Sequence, residues 1–281
     1  MRALAVSVLT AAMFLGALQP ASAEATGYLN VSWTEKDGLP GSYIGSIAQD
    51  REGYLWLVAN GALVRFDGVR FVEWGAIAPT PQTRIRGAAV VSAARDGSLW
   101  IGHSGDGGVS RVHEGRVTSY SPHEPGVPSG VVRSVIEGPD GSIWAASQSG
   151  VSRFRKGQWK RLDAEEGLSS DPAYSVHTDR KGAIWVGTAV GVFRLAAEGE
   201  KFELVRATLR ARGFAEDERG TMWVTGLDHP FRSVRDPDLL PLSPSLLRTA
   251  SGGCRSAACC AGSRLCSIRT RQGFRWPRLS R

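Results

Sequence analysis

The sequence predicts an all-β fold made of repeated antiparallel sheets. The first observation is a repeat anchored on five tryptophans separated by 44, 44, 41 and 38 residues: Trp56, Trp100, Trp144, Trp185 and Trp223. The second is that no helical pattern of about 10–15 residues separates the short apolar runs, which argues against a parallel α/β fold. A period of about 42 residues is typical of a four-stranded propeller blade. We therefore expect a β-propeller with five repeats, present as an incomplete or a five-bladed ring.

The residues around each tryptophan keep the same order. Glycine stands three residues before each one, at Gly53, Gly97, Gly141, Gly182 and Gly220. Arginine stands nine residues after four of them, at Arg65, Arg153, Arg194 and Arg232, and Arg111 follows Trp100 by eleven. Such agreement indicates one structural unit repeated five times.

Each repeat divides into four predicted strands. Residues 44–50 are the first strand of the first repeat. A turn follows, for which Asp96-Gly97 in the second repeat is the clearest sequence, because glycine accepts the positive φ of a tight turn. The apolar run that contains the tryptophan is the second strand, residues 108–112 and their equivalents are the third, and 112–117 lead into the fourth. Tryptophan is large enough to fill the space between neighbouring sheets.

The charge of the chain is unevenly distributed. The whole sequence has 34 Lys+Arg against 27 Asp+Glu, a net charge of +7, but residues 239–281 contain eight arginines and no acidic residue. Residues 24–238 have a net charge of −2. A basic patch that would bind nucleic acid is therefore not a property of the repeats, and we expect no nucleic-acid partner.

Residues 1–23 have the pattern of a secretion signal, with a positive start, an apolar stretch and the small residues Ala21-Ser22-Ala23. Cleavage is predicted between Ala23 and Glu24, and the alternative is an uncleaved anchor. The apolar stretch is short of the roughly 20 residues that span a bilayer. We expect a periplasmic or secreted protein with no membrane span in the mature chain.

The four cysteines all lie near the C-terminus, at Cys254, Cys259, Cys260 and Cys266. The repeats therefore contain no disulfide, and their core must be stable without one. The cysteine spacing fits no zinc pattern. We expect no metal and no cofactor.

Three sequence runs resemble the two-component regulator propeller repeat: WTEKDGLP at 33–40, IAQDREGYLW at 47–56 and LVRFDGVRF at 63–71. Later repeats match through Asp-Gly-Ser-Leu/Ile-Trp and Gly-Val-Ser-Arg, so the resemblance covers roughly residues 28–235. It implies a periplasmic sensor propeller that precedes a membrane helix and an output domain such as a histidine kinase or a diguanylate cyclase. It also implies a soluble, carbohydrate-like ligand.

The chain departs from that family plan after the fifth repeat. The pattern breaks at residues 236–238, no kinase or cyclase motif follows, and residues 239–281 have a different composition. We therefore expect a fragment of a longer receptor, with residues 239–281 translated out of frame, and no enzymatic activity. The alternative is a natural, disordered basic tail.

Two arrangements of the five repeats remain open. Residues 28–34 could supply the last strand of the fifth blade and close a five-bladed ring, which would hide the open edges. The other arrangement is an open arc, which we favour slightly. An arc leaves terminal blades with exposed faces, through which the protein could self-associate.

No residue type forms a catalytic constellation. We expect the five histidines, His103, His113, His123, His177 and His229, to be loop or strand-surface residues. Asp106 could bind a cation, but a glycine-rich turn is the simpler account. The repeated arginines could line a groove, although a repeated structural contact is favoured.

We therefore assign no catalytic, cofactor or metal residue, and the ligand contacts stay unknown. The favoured function is ligand sensing. The alternatives are an exported propeller enzyme, a lyase or a glycosidase, and a protein-binding scaffold.

Overall fold

The computed structural model of the protein describes residues 28–78, 85–207, 210–226, 232–234 and 266–271. Strands dominate these residues, and the regular helices are one short α-helix, Trp74–Ile77 (α1), and single 3₁₀ turns at Glu35–Asp37 and Ala164–Glu166. The predicted all-β fold class is confirmed. The predicted signal at residues 1–23 lies outside the described residues, as does most of the segment 239–281.

Each tryptophan-anchored repeat forms its own antiparallel sheet, which we call a blade and number in chain order. Blade 1 contains β2 (Ile44–Gln49), β3 (Leu55–Ala59), β4 (Ala62–Phe66) and β5 (Phe71–Glu73). Blade 2 contains β6 (Ala88–Ala93), β7 (Leu99–His103), β8 (Val109–His113) and β9 (Arg116–Tyr120). Blade 3 contains β10 (Val132–Glu137), β11 (Ile143–Ser147), β12 (Gly150–Arg155) and β13 (Gln158–Leu162).

Blades 4 and 5 continue the same strand order. Blade 4 contains β14 (Ala173–Thr178), β15 (Ile184–Thr188), β16 (Gly191–Leu195) and β17 (Glu203–Ala207). Blade 5 has three described strands, β18 (Ala211–Glu216), β19 (Met222–Gly226) and β20 (Arg232–Ser233). The first strand of each blade contacts the first strand of the next, from β2 through β6, β10 and β14 to β18. The predicted four-stranded repeat is confirmed in the first four blades.

The two remaining strands form a separate sheet, in which Tyr28–Trp33 (β1) pairs with Cys266–Arg271 (β21). The arrangement in which residues 28–34 complete the fifth blade is therefore not the pairing found here. Residues 266–271, within the segment 239–281, form strand β21. Cys266, Ile268 and Thr270 alternate there with serine and arginine, which is the period-2 pattern of a strand. The arginine-rich composition of the segment hid that pattern.

The anchoring tryptophans pack between successive blades, as predicted. Trp144 on β11 is 2% exposed and lies in a cluster with Ile184 of blade 4, with Leu168 just before that blade and with Phe202 between β16 and β17. Trp100 packs in the same way against blade 3, Trp56 against blade 2 and Trp185 against blade 5. Trp223, on the last blade, is only half-buried. The burial of each tryptophan thus depends on the blade that follows it.

Two kinds of turn precede the tryptophan strands. In blades 1, 4 and 5 an aspartate six residues before the tryptophan accepts a hydrogen bond from its indole Nε1, as from Trp185 to Asp179 Oδ2 at 2.9 Å. In blades 2 and 3 the aspartate stands four residues before the tryptophan. It accepts a hydrogen bond from the arginine that pairs with the tryptophan on the neighbouring strand. Asp140 Oδ2 lies 2.6 Å from Arg153 Nη2, and the Ser142 hydroxyl bridges the two side chains. The position of one aspartate therefore decides which neighbour it stabilises.

Hydrogen bonds join the first strands of neighbouring blades and fix their spacing. The Ser46 hydroxyl donates to the Val91 carbonyl oxygen at 3.2 Å and accepts from the Val91 amide at 3.1 Å. Ser134 and Ser175 make corresponding contacts with the next blade. At the turns, Arg95 donates to the Gly138 carbonyl oxygen at 2.6 Å. These contacts hold the five first strands side by side.

The aspartate–arginine turns predict an acid-sensitive contribution to stability. Partial burial raises the pKa of Asp140, but hydrogen bonds from Ser142 and Arg153 outweigh that effect, and the pKa lies below its ordinary value. The contribution is therefore complete above about pH 4 and is lost as the pH falls through the lowered pKa. The urea midpoint of the wild-type protein should fall between pH 7 and pH 3. We expect a smaller fall in the Asp140→Asn variant.

The matched control for that experiment is Asp106→Asn. Asp106 is exposed, and its carboxylate makes no hydrogen bond within the part of the chain that the structure describes. The control should keep the wild-type dependence on pH. A wild-type dependence in the Asp140 variant would contradict the prediction.

Candidate functional site

A cavity of about 190 Å³ lies among the first strands of the five blades. Its wall is formed by β2, β6, β10, β14 and β18, which present their residues to it in register. Ligand sites in folds of this kind are concave and gather groups from several elements. This cavity is the place where all five repeats contribute to one surface.

Every first strand carries a β-bulge at its second residue. The pairing skips one position in each blade: Gly45, Ala89, Arg133, Tyr174 and Arg212. A bulge leaves one residue unpaired and re-aims its side chain, and bulges are common beside functional sites. Four of these residues line the cavity directly: Gly45, Arg133, Tyr174 and Arg212. We call the five residues the bulge ring.

The bulge ring is asymmetric. Blades 1 and 2 contribute Gly45 and Ala89, which leave space, whereas blades 3 to 5 contribute Arg133, Tyr174 and Arg212. The Arg133 guanidinium lies 5.3 Å from the centre of the Tyr174 ring, and the Arg212 guanidinium lies 5.5 Å from it. One aromatic ring thus contacts two cations, an arrangement that holds both arginines beside the cavity.

The charges along the cavity wall are of one sign. Among the described residues that line it are two arginines and one histidine, and none is an aspartate or a glutamate. The histidine is His177 on β14, whose ring stacks on Phe214 with centroids 6.2 Å apart. Burial lowers the pKa of His177, although Glu216 and Asp179 oppose this. The fixed positive charge of the site therefore comes from the arginines.

The histidines named from the sequence are not brought together. His103 is held by its Nδ1 to the Arg86 carbonyl oxygen at 3.0 Å and by its Nε2 to the Ser110 hydroxyl at 2.8 Å. His113 lies on β8 and His123 is exposed in a loop. His229 lies outside the described residues. His177, expected at the surface, instead lines the cavity, because the residue eight positions before the tryptophan lines it in each of the first four blades.

Asp106 belongs to a glycine-rich turn, which the sequence favoured over a cation-binding role. Its backbone carbonyl oxygen accepts a hydrogen bond from the Gly130 amide at 2.7 Å, while its side chain is exposed. Gly107 has φ +96°, and a side chain there would clash with the Gly130 carbonyl oxygen. Within the described ranges, no three histidine, cysteine, aspartate or glutamate side chains are grouped as metal ligands would be.

The repeated arginines make a repeated structural contact. Arg111, Arg153 and Arg194 each lie across the strand pair from a tryptophan, with the guanidinium 4.9–5.6 Å from its ring centre. Arg65 lies opposite Trp56 and packs on Tyr54 at 4.7 Å. Arg232 differs, since it pairs with Val224 rather than with Trp223. These arginines are not residues of the cavity wall.

Sequence reasoning missed the bulge ring, although the sequence contains a signal for it. Its members all stand eleven residues before a tryptophan. A search for identical residues passes over this position, because its residue type changes from blade to blade. A position that keeps its phase but varies in chemistry lets several repeats contribute different groups to one site.

The sheets and the cavity define a repeat protein of the β-propeller type. The family model described as "Two component regulator propeller" matches residues 38–61, so the chain carries this repeat, as its resemblance predicted. No curated protein matches the chain. None of the helices in the described ranges is long and apolar enough to cross a membrane.

Solved structures share this fold at low identity. Virginiamycin B lyase from Staphylococcus aureus is 14% identical with a TM-score of 0.53, over 75% of this chain and 74% of the lyase. The extracellular domain of a protein described as a hybrid two component system, from B. thetaiotaomicron, is 17% identical with a TM-score of 0.51, over 77% of this chain. PorZ, described as a surface component of the type-IX secretion system of Porphyromonas gingivalis, is 12% identical with a TM-score of 0.52, over 72% of this chain.

The extent of these matches differs. This chain spans about three quarters of the lyase, but 34% of the two-component extracellular domain and 34% of PorZ. At such identities the likeness shows the fold alone. The chemistry of the cavity therefore has to be argued from its own residues.

Proposed function

We propose that this chain is a ligand-sensing propeller domain of an exported receptor of the two-component type, without catalytic activity of its own. The observation that carries the proposal is the bulge ring, which places Arg133, Tyr174 and Arg212 around one cavity. The propeller repeat at residues 38–61 and the fold likeness to a two-component extracellular domain support it.

The ligand is a soluble saccharide. Tyr174 offers its hydroxyl as a hydrogen-bonding group for a sugar, between two guanidinium groups that lie over its ring. The cavity is small, so it holds little more than one sugar unit. Small residues at Gly45 and Ala89 leave the opposite side open for the rest of a chain.

Thermal unfolding with a panel of soluble oligosaccharides tests the proposal. A ligand at about 100 times its Kd stabilises the folded state by about 2.7 kcal/mol. For a domain of this size that corresponds to a rise in Tm of roughly 5–10 °C. The rise should disappear in Tyr174→Ala. If no saccharide changes the Tm or binds by calorimetry, the protein is a scaffold rather than a sensor.

Catalysis is tested on the same panel. A glycosidase needs two carboxyl groups on either side of the scissile bond, and the cavity wall described above contains arginines and a histidine. We expect saccharides incubated with the protein to be recovered intact by mass spectrometry. Cleavage that is lost in His177→Gln would favour the enzyme instead.

A further inference from the structure

We propose that the cavity selects an acidic saccharide, one that carries a carboxylate or a sulfate ester on its ring. This inference rests on the proposed sensing function and adds the chemical class of the ligand. The arginines of the bulge ring would bind the anion, and the Tyr174 hydroxyl between them would form a hydrogen bond with the ring that carries it.

The arginines of the bulge ring are not neutralised by any described acidic side chain. Arg133 and Arg212 are exposed, and each contacts the same tyrosine but makes no ion pair within the described part of the chain. Other arginines of the blades do have acidic partners, since Arg111 and Arg153 each form an ion pair with an aspartate. Two like charges near one ring repel each other, and an anion bound to both would offset that repulsion.

The described cavity wall contains no acidic side chain. All 27 acidic residues of the sequence lie between residues 24 and 238, so carboxylates are plentiful in the repeats. Glu137 and Glu216, at the ends of β10 and β18, bind Arg95 and Arg180 of the preceding blades instead of the two arginines of the cavity. These two arginines are therefore available for a ligand, and guanidinium groups bind carboxylates and sulfates in a fork geometry.

The site also offers groups for the uncharged part of a sugar. Tyr174 provides its hydroxyl, and the two cations hold its ring in place. Ser92 of blade 2 also lines the cavity, and its hydroxyl makes no hydrogen bond to any described residue. A free anion would use the arginines alone, whereas a sugar acid would use the arginines and the two hydroxyls together.

Calorimetry of the full chain with paired ligands tests the inference. The probes are trigalacturonate, its fully methyl-esterified form, a sulfated galactose trisaccharide and the neutral galactose trisaccharide. We expect at least one acidic probe to bind, and its neutral counterpart to bind about 10- to 100-fold more weakly, since each charge-assisted contact contributes a factor in that range. Raising the salt concentration should weaken the acidic probe alone.

Variants separate this inference from the proposed function. Arg133→Gln combined with Arg212→Gln should lose the preference for the acidic probe, while Arg116→Gln, an exposed arginine on β9 outside the cavity, should keep it. Far-UV circular dichroism confirms that each variant is folded. If neutral probes bind as tightly as acidic ones and the double variant is unaffected, the inference is wrong although sensing stands. If none of these probes and no panel saccharide binds, both are wrong.

Discussion

Trp144→Ala should destabilise the protein by about 3–5 kcal/mol, the range for removal of a fully buried large aromatic residue. The indole is 2% exposed and fills the space between blades 3 and 4. Its Nε1 is buried and has no hydrogen-bond partner among the described residues, so the loss is one of packing and not of a hydrogen bond. Urea unfolding followed by circular dichroism measures the change.

Trp223→Ala is the matched control for that variant. Trp223 occupies the same position of the repeat, but it is half-buried and donates its Nε1 to Asp217 at 2.9 Å. We expect a smaller loss of about 1–2 kcal/mol. Equal losses in the two variants would contradict the view that packing against the following blade is the source of the stability.

Gly167→Ala should cost about 3 kcal/mol, for two reasons that add. Gly167 ends the 3₁₀ turn Ala164–Glu166 with φ +81°, a conformation that costs an L-residue about 1–2 kcal/mol. A Cβ at this position would also clash with the carbonyl oxygen of Phe202, which is backbone and cannot move freely. The neighbouring Leu168 is 2% exposed, so the turn cannot shift without disturbing the core between blades 3 and 4.

Gly97→Ala separates the two reasons. Gly97 has φ +84° in the Asp96-Gly97 turn, but no atom lies within 4 Å of a Cβ placed there. We expect a loss of about 1 kcal/mol, from the backbone conformation alone. The urea midpoints of both variants give the comparison, and a Gly97 variant as unstable as the Gly167 variant would refute the role of the clash.

Much of the fold could be predicted, because the features that build a blade recur in every blade. The tryptophans, the turn glycines and the strand order follow from packing and turn geometry, which each repeat has to satisfy in the same way. Pairing between distant segments could not be predicted on this basis. The partner of β1 is β21, and nothing local in residues 28–33 distinguishes that pairing from an addition to blade 5.

The candidate site was hidden by the same regularity. Residues that recur, such as Arg153 and Arg194, turned out to be structural contacts across the strand from a tryptophan. Residues that do not recur, Arg133, Tyr174 and Arg212, stand together at the cavity. One sequence shows the first group plainly, whereas the second becomes visible once the bulges fix which position of the repeat faces inward.

Because the burial of each tryptophan depends on the following blade, the tryptophans become buried in chain order during synthesis. Chains emerge from the ribosome N-terminus first and fold as they emerge. Trp56 can be covered when blade 2 has been made, Trp100 when blade 3 has been made, and so on along the chain. A nascent chain would therefore expose one indole at a time, always on its newest blade, and a pause in translation between blades would prolong that exposure.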